Sequence, residues 1–135
     1  MYLLDTNILS PLLTADPPEQ LRHRFSRMPR RALYTSAINL GEMLYGLFKG
    51  RKGPAYFHRL SRLFDWVQIL SFDSSCAETY ARLRTELELA GTPIHHLDLM
   101  IASVALGNDL ILLTANERHF SRVPGLAIEN WLRGS

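Results

Sequence analysis

Three carboxylates occupy positions where chemistry is an open reading. Asp5 directly follows the short apolar run Tyr2–Leu4. Glu42 interrupts the largely apolar stretch Ile38–Phe48. Asp98 stands at the start of Leu97–Leu106, which is apolar nearly all round. Each has a structural alternative. Asp is a common N-cap for a following helix. Glu42 could share one wet stripe with Asn39 and Gly46, at i+3/i+4 spacing. A carboxylate in a first helical turn, as Asp98 would be, is favoured by the helix dipole. Three acids from distant parts of the chain cannot share a dry cleft uncompensated. Like charges raise one another's pKa, or a cation neutralises them. Oxygen-only donors select a hard cation, Mg²⁺ or Mn²⁺. Such a cation activates a water and steadies the charge that builds on a phosphate. Asn116 extends the set as a neutral oxygen ligand or a water-positioning group. Thr6 and Thr114 are hydroxyls able to orient a carboxylate or a water.

These side chains meet only if the fold brings them together. Tyr2–Leu4 predicts a buried strand that stops at Asp5, followed by a short helix over Ile8–Leu13. Asp16, Pro17 and Pro18 predict a helix start capped by Asp16, with the helix running to about Met28. A second strand is expected at Ala32–Thr35. Ser36 is then the candidate N-cap of a helix over Ala37–Phe48, which ends in the Gly/Lys-rich Lys49–Pro54. Gly41 and Gly46 are costly inside a helix and suggest close approach by a neighbouring backbone. A helix from about Ala55 to Asp65 and a strand over Trp66–Leu70 follow. A long helix, capped by Asp73 or Ser74, reaches Ala90 and stops at Gly91. The last elements are a helix from His95 or His96 to Leu106, a turn at Gly107–Asp109, a strand at Leu110–Leu113 and a fifth strand at Ala127–Glu129. Strand–helix alternation predicts a parallel sheet covered on both faces. Ligands of such sheets bind outside the carboxyl ends of the strands. Asp5, Thr114 and Asn116 follow two of those ends.

The 135 residues predict one domain over 1–135, with 47% hydrophobic and 21% charged residues excluding disorder. No apolar run is long enough to span a membrane. Met1–Ser10 lacks a basic stretch ahead of its apolar residues and does not read as a signal peptide, so the cytoplasm is the expected compartment. The single cysteine, Cys76, excludes an internal disulfide framework and reads as a small packed hydrophobe. His95-His96 reads as a cap or loop, and Glu117 and Asp109 as surface or turn residues. The net charge of +2 conceals an asymmetry: Arg22 to Arg62 holds ten basic residues and one acid, Glu42. A one-sided basic segment suits a polyanion, although for such a segment alone a set of solvated helix faces is the favoured reading.

Four segments now carry a resemblance. Met1–Asn7 resembles the opening of PIN domains. Ser36–Gly46, Pro93–Ala102 and Leu113–Phe120 are similar to their later motifs, in order and spacing, with Val123–Leu126 and Trp131 following. The nearest branch looks like the VapC-type toxins of bacterial toxin–antitoxin modules. The resemblance implies a three-layer α/β/α domain with a central parallel sheet of four or five strands. It implies a Mg²⁺- or Mn²⁺-dependent endoribonuclease acting on a structured RNA such as tRNA, a homodimer, and inhibition by a cognate antitoxin. Asp5, Glu42 and Asp98 match the family's acidic positions, while Asn116 stands where many members carry a fourth acid. Arg24, Arg27, Arg30, Lys49, Arg51 and Lys52 are the candidates for the RNA backbone, a sequence-independent contribution. The rival from another class is a PIN-like module that binds RNA or protein without cutting. A phosphatase using Asp5 as nucleophile ranks low, because that signature needs an Asp where this chain has Asn7.

Overall fold

The computed structural model describes residues 1–133. Its elements are β1 (Tyr2–Leu4), α1 (Thr6–Leu12), α2 (Glu19–Ser26), β2 (Leu33–Ser36), α3 (Ala37–Lys49), α4 (Pro54–Leu63), β3 (Gln68–Leu70), α5 (Ser74–Leu89), α6 (His96–Gly107), β4 (Ile111–Leu113), α7 (Glu117–Phe120) and β5 (Ile128–Glu129). The strands form one sheet in the order β3-β2-β1-β4-β5, with every pairing parallel. Tyr2 faces Leu33 on one side and Ile111 on the other.

Strand alternation divides the core in two. Leu3 and Leu112 point into one cluster with Leu83 and Leu87 of α5 and Leu99 and Ile101 of α6. Leu4 and Leu113 point into the other, with residues of α1 to α4 and Trp131. All four strand leucines are fully buried. The result is the expected three-layer α/β/α arrangement, here with five strands. Chain order reverses across β1, whose neighbours are β2 and β4, so the crevice falls at the carboxyl ends of these central strands.

Several local expectations change. Asp16 does not cap α2. Pro18 takes the cap position without a side-chain bond, because a residue before proline is held extended and the helix cannot begin earlier. Trp66 and Val67 precede β3, held instead by backbone bonds to Leu63 at the end of α4. Gly41 and Gly46 face open space, with nothing within 4 Å of a Cβ at either. No neighbouring backbone approaches either of them. The short helix α7 was not expected from the sequence; it starts just past the site-bearing end of β4. No described helix is long and apolar enough to cross a membrane.

Candidate active site

Asp5 ends β1 and caps α1, so its N-cap and cleft readings hold together. Its Oδ1 accepts from the Thr6 backbone N–H at 2.8 Å and from Asn39 Nδ2 at 3.0 Å. Its Oδ2 accepts from Thr114 Oγ1 at 2.8 Å. Asp5 is 6% exposed. A carboxylate offers about four acceptor positions, so one remains open, on Oδ2.

The orientation of Asn39 is set from below. Ser36, the N-cap of α3, donates through Oγ to Asn39 Oδ1 at 2.6 Å and accepts from the Asn39 N–H. That fixes which end of the amide faces the cleft. Asn39 Nδ2 therefore serves Asp5 and also Thr6 Oγ1, at 3.0 Å. The Thr6 hydroxyl in turn donates to Glu42 Oε1 at 2.9 Å. Asn39 is fully buried, so the wet stripe considered for α3 does not include it. Glu42, one turn on, is half-buried.

A second set closes the other wall. Thr114 Oγ1 accepts from the Asn116 N–H at 2.9 Å and from Asn7 Nδ2 at 3.4 Å, while Asn7 Oδ1 accepts from the Ala115 N–H. Asp98, in the first turn of α6, lies 3.6 Å from His119 Nδ1. Asn116 Nδ2 lies 2.9 Å from that same nitrogen. Sequence reasoning named Asp5, Thr6, Glu42, Asp98, Thr114 and Asn116 in the site. It missed the parts played by Ser36, Asn39, Asn7 and His119. Helical spacing was the available signal: Asn39 follows Ser36 by three residues, and His119 follows Asn116 by three.

Burial is the main influence on two of the cleft's acids. Burial pushes the Asp5 carboxyl above its ordinary range, and the Asp98 charge adds to this against the Thr114, Thr6 and Asn39 bonds. Burial also raises Glu42, aided by Asp5 and Asp98 and opposed by Thr6 and His95. Among the described residues, no three acids, histidines or cysteines converge closely enough to cage an ion. A Mg²⁺-type ion needs no such cage, since it keeps several waters and takes one or two carboxylates. The all-oxygen acidic donors, the open lone pair on Asp5 and the raised pKa values fit such an ion.

The basic residues are not gathered here. Arg24 lies over Trp131 at 5.1 Å and Arg30 over Trp66 at 4.2 Å. Arg30 precedes β2, at the amino end of the parallel sheet, opposite the carboxyl end that carries the acids. Lys49 lies roughly 18 Å along α3 from Ala37, over Tyr45, and Lys52 lies over Tyr56. Arg27 is exposed beside His23, and Arg51 turns the chain after α3 with φ 48°. Cys76 is buried and Asp109 sits in a turn with φ 57°, both as expected. His95 is the cap of α6, accepting from the Leu97 N–H. Glu117 does more than a surface residue: it accepts from Asn130 and pairs with Arg133 at 3.2 Å.

Thr114 is the post on which this wall turns. Thr114→Val keeps the shape but leaves Asp5 Oδ2 and the Asn116 N–H without their partner. The expected cost is about 1–3 kcal/mol in urea unfolding, with Thr114→Ser close to wild type. A Val variant as stable as wild type would show that water replaces the hydroxyl freely.

A parallel sheet with helices on both faces and an acidic crevice at its central strand ends is the arrangement that the resemblance to PIN domains implies. The PIN domain family model matches residues 2–126. The chain is 34% identical to Ribonuclease VapC2 of Rickettsia felis over 131 residues, covering 97% of this chain and 98% of that protein. It is 32% identical to the tRNA(fMet)-specific endonuclease VapC of Salmonella typhimurium, covering 96% and 97%. The fold superposes with a TM-score of 0.87 on a chain of the VapBC2 crystal structure from Rickettsia felis bound to a promoter DNA fragment, at 32% identity and covering 96% and 98%. The chain belongs to the PIN-domain family, among its VapC ribonucleases.

Proposed function

We propose that residues 1–135 form a single ribonuclease domain, the toxin of a toxin–antitoxin pair, which hydrolyses a structured RNA such as tRNA with Mg²⁺ or Mn²⁺. The observation that carries this reading is the locked, desolvated acidic crevice at the ends of β1 and β4. A tRNA is the favoured substrate class because a relative of similar length is named for one.

Asp5 and Asp98 are the principal metal ligands, with Glu42 completing the acidic set. The cation, when bound, supplies an activated water and relieves the charge building on the scissile phosphate. The remaining work belongs to the chain. Asn39, Thr6 and Thr114 hold Asp5 in one orientation, so its open lone pair needs no reorganisation during reaction. Thr6 holds Glu42 at the rim, where it can take a proton. Asn116 steadies the far wall. Arg24, Arg27, Arg30, Lys49, Arg51 and Lys52 contribute long-range, salt-sensitive attraction for the RNA backbone. An apolar groove lined by Ala37, Ile38, Tyr45 and Leu97 opens beside Thr6 and Glu42. It suits a segment of a cognate antitoxin laid over the site. A homodimer working in the cytoplasm completes the reading.

Metal-dependent stabilisation tests the site directly. A ligand that binds only the native state raises stability by about 2.7 kcal/mol at a hundred times its Kd. Mn²⁺ should raise the melting temperature of the wild type by several degrees and leave Asp98→Asn unmoved. No shift in the wild type would count against the metal site and favour a binding module.

A further inference from the structure

We infer that the turn joining α3 to α4 is a stacking platform for unpaired bases of the RNA substrate, with Phe48 and Phe57 taking the bases and Arg51 and Lys52 the adjoining phosphates. The inference rests on the ribonuclease reading above and adds a second contact to it, away from the acids.

The platform is built by a tight turn. Gly50 closes α3, and Arg51 follows with φ 48°. The Arg51 N–H donates to the Phe48 carbonyl at 3.3 Å and the Lys52 N–H to the Leu47 carbonyl at 3.2 Å. Gly53 and Pro54 then start α4. This fold-back brings Phe48, near the end of α3, to the same groove as Phe57, one turn into α4. The groove is open, has a volume of about 470 Å³, and is lined also by Leu47, Pro54, Arg51 and Lys52.

Phe48 is 72% exposed and Phe57 57%. Single exposed apolar residues are ordinary, but two large rings held in one groove mark a binding surface. Charge selects the occupant. No acid occurs between Met43 and Phe64. Among the described residues no carboxylate pairs with Lys49, Arg51 or Lys52. Lys49 and Lys52 lie instead over Tyr45 and Tyr56, at 5.4 and 5.6 Å. Free cations beside exposed aromatic faces are what holds single-stranded nucleic acid: the cations track the phosphates and each base lays its π-face on a ring. A duplex cannot use the rings, because its bases are stacked on one another, so the platform selects loops, bulges and ends. Phe48 follows Glu42 by six residues, about 9 Å along α3. One unpaired stretch of a few nucleotides can therefore touch both the crevice and the platform.

Fluorescence anisotropy on the full chain, in EDTA so that nothing is cut, tests this with two labelled probes: an oligouridine of about twelve nucleotides and a blunt RNA duplex of similar length. Phe48→Ala and Phe57→Ala should each weaken oligouridine binding at least about fivefold and change duplex binding by less than about twofold. Phe48→Trp should restore it. Lys52→Gln should lower the slope of log affinity against log salt for oligouridine by about 0.7. Thermal melts should be unmoved, since both rings are exposed. Alanine variants that keep wild-type affinity for oligouridine, or that lose duplex affinity equally, would overturn the inference. So would a wild type that cuts cellular RNA with Mg²⁺ yet binds no oligouridine, which would give the groove to a protein partner. Oligouridine binding that depends on Phe48 and Phe57, in a protein that cuts no RNA, would keep the platform and remove the ribonuclease reading.

Discussion

Asp5→Asn should lose RNA cleavage by about 10³-fold or more while folding at least as stably as the wild type. The loss follows from the cation's contribution, which is worth several kcal/mol of transition-state stabilisation, each 1.36 kcal/mol being about tenfold. An amide cannot replace the charge on Oδ2. Its oxygen can still accept from the Thr6 N–H and Asn39, while its NH2 meets the Thr114 hydroxyl that donates to Oδ2 in the wild type, so that hydroxyl must turn to accept instead. The stability gain has a pH signature. Burial and the Asp98 charge raise the folded-state pKa of Asp5 above its unfolded value of about 3.9. A raised carboxyl contributes stability below that unfolded value and loses it as pH rises through the folded one. With chelator present, the variant's advantage in urea midpoint should therefore grow as pH rises from about 4 towards neutrality. An advantage that stays flat with pH would show that the Asp5 charge is not penalised. Full cleavage by a folded variant would remove Asp5 from the mechanism.

Trp131→Ala should be the most damaging single truncation for the fold, costing about 3–5 kcal/mol of a total near 5–15. Trp131 lies beyond the last strand, yet it is 1% exposed and among the largest fully buried side chains. Its ring meets Tyr2 edge-on at 5.2 Å, carries Arg24 on its face, and donates through Nε1 to Glu129. It shares the cluster that buries Leu4, Ile8 and Leu113, the apolar floor beneath Asp5 and Thr114. Truncation would empty that floor and loosen β5. Urea unfolding at fixed protein concentration measures the loss, with Trp131→Phe expected to fall between. A loss below about 1 kcal/mol would mean the segment docks without supporting the core.

The layers and the acid positions were legible because they depend on local pattern. Tyr2–Leu4 and Leu110–Leu113 are short apolar runs that stop at polar residues, and buried parallel strands read that way. Asp5 and Asp98 were legible from the strand end and first helical turn they occupy. What could not be read were consequences of tertiary placement. Asn39 looks like a surface residue of an amphipathic helix. Only the approach of β1 to the start of α3 buries it and turns its amide onto Asp5. Gly41 and Gly46 suggested a packed backbone, but that face of α3 is open. His119 is one of two polar residues between Glu117 and Phe120, and only α7 brings it to Asp98. The basic segment reads as one block along the chain, whereas folding spreads it over α2, α3 and α4 against separate aromatic rings.

The crevice at the ends of β1 and β4 is proposed to cut RNA. Purified protein incubated with total cellular RNA, with Mg²⁺ or Mn²⁺ and with EDTA, beside a folded Asp98→Asn control, tests it most directly. Cleavage at defined positions that needs both the metal and Asp98 is expected, with the ends mapping to a structured RNA. Intact RNA from a folded, metal-binding wild type would contradict it, as would cleavage that persists in EDTA or in Asp98→Asn.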